Sequence, residues 1–125
     1  MTLVWGLGAC SAERENEPAH PGPPEAKLEF GSCPADLPGE AKGRDCAVTE
    51  VPLRWDEPSG RRIELLVARY PSATPGGGQL WLLDGGPGNT GATYMLPAIL
   101  RLYTSLGLDV YVPQHRGTGH STPLG

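Results

Sequence analysis

Two stretches decide the fold: Leu80-Trp81-Leu82-Leu83-Asp84-Gly85-Gly86-Pro87-Gly88, and Leu108 to Val112 followed by Gln114-His115-Arg116-Gly117-Thr118-Gly119-His120-Ser121. Each is an apolar run that ends in a glycine-rich turn. An apolar run with little polar alternation is the pattern of a strand buried on both faces. Between the two, Met95, Leu96, Ile99, Leu100, Leu102, Tyr103 and Leu106 recur at helical spacing. Pro97 fits the first turn of that helix, where its missing N–H is no loss. Gly107 fits the position just past its end, with Leu108 packing back in a Schellman arrangement. A strand, a helix and a second strand in this order predict a right-handed parallel crossover.

Upstream, Thr49, Val51, Leu53 and Trp55 alternate with Glu50, Pro52 and Arg54. Period two predicts a strand with one face buried, and Pro52 assigns it to a sheet edge. Asp56 to Gly60 reads as a turn, and Ile63 to Tyr70 as a second strand closing an antiparallel hairpin. The expected class is α/β: a hairpin, then a β-α-β unit with parallel strands. A parallel sheet needs helices on both faces, and only one convincing helix is present. The domain is therefore expected to be incomplete.

Gly (18) and Pro (14) make up about a quarter of the 125 residues. The prolines cluster early, so the expected organisation is a possible lipoprotein signal remnant over 1–10, a disordered Pro/Glu-rich linker over 11–45 and the folded segment over 46–125. His20 in the linker reads as a solvated histidine without metal-ligand spacing. Net charge is −4, with nine of the 14 acids and four of the ten bases in residues 1–50. No basic patch follows a phosphate backbone, so nucleic acid is not an expected partner. No apolar run reaches about 18 residues, which argues against a membrane span.

The cysteines are Cys10, Cys33 and Cys46. Leu7-Gly8-Ala9-Cys10 is similar to a lipobox, in which small residues precede a cysteine that becomes acylated. Met1 to Gly6 is short for a signal and carries no Lys or Arg, so a chance match is the alternative. If Cys10 carries lipid, membrane attachment runs through it alone. Cys33 and Cys46 are then left as a pair, consistent with a disulfide in an oxidising compartment or with two unpaired thiols.

The turn after Leu83 admits three readings. Gly86-Pro87-Gly88-Asn89-Thr90-Gly91 fits the G-x-G-x-x-G pattern of a dinucleotide-binding module. Gln114 stands where that reading needs an acid, and two extra strands precede the motif. In the second reading the glycines only reverse the chain. Third, backbone N–H groups unscreened by side chains can stabilise the oxyanion of acyl transfer.

The two turns together resemble the Gly-Gly-Pro-Gly and Asp-x-Arg-Gly-x-Gly-x-Ser signatures of α/β-hydrolases. The branch they look like is that of the proline iminopeptidases and secreted tripeptidyl aminopeptidases. Cys46-Ala47-Val48-Thr49-Glu50-Val51-Pro52-Leu53-Arg54-Trp55 is similar to the first strand of the secreted members, and Cys46 sits where they often carry a disulfide. The resemblance covers about residues 46–123. It implies an extracytoplasmic serine peptidase acting on a peptide or a small ester or amide, without a cofactor or metal. It also implies that Gly85 and Gly86 supply a backbone oxyanion donor.

Three departures matter. Gln114 replaces an Asp that orders the second turn in the family, so different local bonding is expected there. Asp84 replaces the family's usual His or Asn; it is expected to point away from the oxyanion or to meet a substrate amine. No G-x-S-x-G occurs, so the triad is expected beyond residue 125 and the chain alone is expected to be inactive. Ser121 lies beside His115 and His120, but the motif gives these residues a turn-shaping role and no third group orients a base. A non-catalytic lipoprotein remnant is the remaining alternative.

Overall fold

The computed structural model describes residues 27–124 apart from 75 and 87. Cys10, His20, Pro87 and residues 11–26 of the expected linker lie outside the described residues. Among the described residues four strands, β1 (Asp45–Pro52), β2 (Arg62–Tyr70), β3 (Gln79–Trp81) and β4 (Asp109–Pro113), form one mixed sheet in the order β1-β2-β4-β3. The helix α1 (Pro97–Ser105) precedes β4. The first two strands form the antiparallel hairpin, with Ala47 opposite Val67 and Val51 opposite Ile63. β2 also pairs antiparallel with β4, while β3 and β4 are parallel, with Leu80 opposite Val110. The architecture is α/β and compatible with part of a larger α/β fold.

Period-two alternation assigns the two sheet faces. On one face Leu66, Ala68, Tyr70, Val110 and Val112 pack with Cys46, Leu37, Met95 and Leu100. On the other, Trp81 stacks on Tyr111 with ring centres 4.6 Å apart. Phe30 meets Tyr111 edge-on, and the Arg69 guanidinium lies 3.8 Å above the Phe30 ring. Arg69 is also clamped in a two-pronged ion pair with Asp45, which raises its already high pKa further.

The helix begins at Pro97 with Leu96 as its cap residue. It ends as the sequence suggests. Gly107 takes φ 83°, Leu108 N–H donates to Tyr103 O (3.2 Å) and Gly107 N–H donates to Thr104 O (3.1 Å). These are the two bonds of a Schellman motif.

Four expectations need correction. The first strand runs Asp45–Pro52 rather than Thr49–Trp55. Pro52 is buried and Trp55 is exposed. Beyond Pro52 the chain turns, and Trp55 meets the Arg116 guanidinium instead of the core. β3 is short and not buried on both faces: Trp81 is 42% and Leu83 62% exposed. It is the last strand of the sheet, with β4 as its one neighbour among the described residues.

The helical apolar stripe is also only partly used. Met95 and Leu100 are buried, whereas Leu96, Leu102 and Leu106 face solvent. Finally, the described part of the expected linker, 27–45, is packed. Gly31 and Cys46 exchange two backbone hydrogen bonds, Cys33 is joined to Cys46 by a disulfide, and Leu37 enters the core. These contacts span the sheet and helix, so local composition does not reveal them.

Candidate active site

Parallel pairing puts the carboxyl ends of β3 and β4 on the same side of the sheet. The loops that leave them, 82–96 and 114–122, therefore lie together. His115 Nε2 is 2.8 Å from the Asp84 backbone oxygen and ties one loop to the other. Gly91 passes over the end of β4 with φ 72°; a Cβ there would lie 2.9 Å from Val112 Cγ1. Glycine at that position answers both a left-handed backbone and a close approach. Thr93 N-terminal to α1 sits in a short 3-10 turn, Ala92–Tyr94, which sequence spacing did not reveal.

Gly85 and Gly86 occupy the exposed part of the first loop. Neither has the positive φ that would demand glycine, and a Cβ on Gly85 would meet nothing within 4 Å. Their N–H groups make no hydrogen bond to another described residue. Both glycines are exposed and carry no side chain to screen their N–H groups. Asp84, half-buried beside them, has one long side-chain contact, 3.4 Å from Thr93 Oγ1 to Oδ2. No described cation pairs with it.

The second loop is a stitched turn. Gln114 N–H donates to Leu66 O (2.8 Å), and Thr122 N–H donates to Glu64 O (2.9 Å). Thr122 Oγ1 accepts from Glu64 N–H at 2.8 Å. Gln114, 1% exposed, accepts the His120 N–H through Oε1 at 2.6 Å. The amide thus does with one oxygen the ordering work the resemblance gives to an Asp. Its Nε2 is buried without a partner among the described residues. Gly119, φ 53°, lies directly against that amide, so a side chain there would collide with it.

Ser121 is 2% exposed, and its hydroxyl accepts from Leu66 N–H (3.1 Å) and donates to Gln114 O (2.9 Å). Both capacities are spent on the main chain, and neither neighbouring histidine reaches it. His115 holds Asp84, and His120 Nε2 lies 3.0 Å from Asp36 Oδ1. Arg116 reaches back 2.7 Å to Leu53 O and over Trp55. These residues shape the turn.

The dinucleotide alternative fails on placement. A pyrophosphate would need a helix N-terminus at the end of the glycine motif. After Gly91 the chain makes its 3-10 turn, and α1 starts only at Pro97. Among the described residues no group of three His, Cys, Asp or Glu is placed to hold a metal ion, and no helix is long and apolar enough to cross a membrane.

Asp36, Leu37 and Glu40 were not legible as part of this site. Asp36 has its carboxyl held below the usual range by the His120 hydrogen bond. Glu40 N–H donates to Met95 O at 2.8 Å, and Tyr70 OH donates to Glu40 O at 2.6 Å. Burial pushes the Tyr70 phenol up.

No family profile matches the chain. It is 36% identical over 92 residues to a protein of Mycobacterium bovis named as a hydrolase, and equally to carboxylesterase B of Mycobacterium tuberculosis. Each similarity covers 67% of this chain. The chain spans 17% of the length of these curated relatives.

Proposed function

We propose that the loops after β3 and β4 form one wall of an acyl-transfer pocket in a serine hydrolase of the relatives' length. The observation that carries this reading is the His115–Asp84 hydrogen bond, which fixes the two loops together while Gly85 and Gly86 stay exposed. In this reading the N–H of Gly85 or Gly86 donates to the carbonyl oxygen of the substrate as it becomes an oxyanion. Fixed donors of this kind act where charge develops and need no reorganisation. The nucleophile, its base and the second donor come from outside the described residues. Ser121 has no part in bond making, because its hydroxyl is already engaged on both sides.

The substrate class we favour is a peptide or amide with a free amino terminus, cleaved as by an aminopeptidase. Asp84 supports it. A carboxylate beside an oxyanion opposes catalysis unless a positive group stands between them, and a substrate ammonium supplies one. A second reading, hydrolysis of a neutral ester, is supported by the name of the tuberculosis relative. The disulfide and the Cys10 motif support an extracytoplasmic protein that meets a membrane only through lipid at Cys10, with substrate as its partner and no nucleic acid.

The test is turnover by the 125-residue chain and by a relatives-length protein that contains it. Aminoacyl anilides and aryl esters are offered to both. The reading expects hydrolysis only by the longer protein. Cleavage by the short chain that is abolished in Ser121→Ala overturns it, as does a longer protein that turns over neither substrate.

A further inference from the structure

The segment between the two bridged cysteines touches both glycine loops, and nothing in the proposed chemistry uses it. It is anchored at one end where Gly31 pairs with Cys46 and the Cys33–Cys46 disulfide closes the loop onto β1. Inside the loop, Arg44 donates to Pro38 O at 3.0 Å and to Leu37 O at 3.1 Å, which holds the segment in a fixed curve. Leu37 is buried with Met95 and Tyr70 in the core.

From this anchored curve two contacts reach out. Asp36 Oδ1 meets His120 Nε2 at 3.0 Å, in the turn that follows β4. Glu40 N–H meets Met95 O at 2.8 Å, at the far end of the loop that follows β3. Gly39, with φ 91°, lies against the Met95 side chain so closely that a Cβ would collide with it. Tyr70 from β2 fixes the Glu40 carbonyl from below. One covalently closed segment therefore grips each loop once, at points remote from the direct His115–Asp84 tie.

We infer that residues 33–46 act as a brace that sets the spacing of the two loops, with Asp36 and Glu40 as positioning residues. The inference rests on the reading of these loops as a pocket wall, and it assigns a role to a stretch that composition marks as linker. Asp36 acts through His120 and the Gln114 amide that holds the His120 N–H. Glu40 acts through Met95 and the 3-10 turn before it, where Met95 N–H bonds Ala92 O at 3.0 Å.

Amide chemical shifts and hydrogen exchange of the 125-residue chain test this without substrate. In the Cys33→Ser/Cys46→Ser variant the amides of Tyr94, Met95, His120 and Ser121 are expected to exchange at least about tenfold faster. The amide shifts of Gly85, Gly86 and Gly119 are expected to move with them. The amides of the β2–β4 ladder are expected to keep their protection.

Asp36→Ala, at an exposed site that leaves the fold intact, is expected to move Gly119 and His120 and also Gly86. Asp36→Glu is expected to restore the wild-type shifts in part. If Asp36→Ala moves only its immediate neighbours, or the double variant loosens the whole sheet evenly, the segment only stabilises the fold and the inference falls. Because no turnover is read, failure here leaves the hydrolase reading standing. Failure of turnover likewise leaves the loop coupling to be judged on these spectra.

Discussion

His115 Nε2 lies 2.8 Å from the main-chain oxygen of Asp84, across 31 positions of sequence. A carbonyl oxygen can only accept, so Nε2 carries a proton in this contact. Replacing His115 with Ala removes one exposed hydrogen bond, a loss of about 1 kcal/mol. The expected outcome is a small fall in the urea midpoint with large shifts of the Gly85 and Gly86 amides. Unmoved glycine amides would show that the two loops are held by other means.

Gln114 is the centre of the second turn. Gln114→Ala strands the half-buried His120 N–H and leaves a cavity, a cost of about 2–5 kcal/mol in a denaturant titration. Gly119→Ala drives a methyl group into the same amide from a left-handed backbone. Gly43→Ala is the control, since Gly43 shares the positive φ but has open space around it. The strain of that conformation is about 1–2 kcal/mol. Gly119→Ala is expected to exceed the control by at least about 1 kcal/mol. Equal losses would remove Gln114 from its assigned place.

The Asp36–His120 contact has a defined pH response. The hydrogen bond holds the folded carboxyl below its ordinary value of 3.8. A depressed carboxyl stabilises the fold above its unfolded pKa, and this contribution fades as pH falls through the folded pKa. The urea midpoints of the wild type and Asp36→Asn are therefore expected to differ at neutral pH. They are expected to converge as pH drops below 3.8. A gap that persists at lower pH would mean that the carboxylate charge is not what the contact uses.

Asp84→Asn separates the two substrate classes. In the relatives-length protein it is expected to lower kcat/KM for free-amine aminoacyl anilides by roughly tenfold. Hydrolysis of N-blocked anilides and neutral esters is expected to hold or rise. A uniform fall for all substrates would assign Asp84 to loop structure rather than to amine recognition.

Much of this architecture is legible in the residues themselves. The spacing of Leu100 and Tyr103 and the pair Pro97 and Gly107 report local rules, and the helix follows them, whereas Met95 falls before it at the end of the 3-10 turn. The parallel β-α-β unit follows from its two apolar runs. What was not legible depends on partners far along the chain. Asp36 reads as a solvated acid until His120, 84 positions on, is placed beside it. Glu40 and Leu37 sit among prolines and glycines that suggest a tether, yet Met95 and Tyr70 give them a packed place. Trp55 has the strand alternation, but the chain turns before it and Arg116 takes its ring. Gly85 and Gly86 were visible as glycines, whereas the open space beside Gly85 is a property of the assembled loops.

The shortness and position of β3 carry a practical consequence. Its outer side offers main-chain groups with no strand beside them among the described residues, flanked by the outward-facing Trp81 and Leu83. Such a border is a template on which another extended segment can crystallise its own hydrogen bonds. The 125-residue chain is therefore expected to self-associate along that rim as its concentration rises, which sedimentation over a concentration series checks.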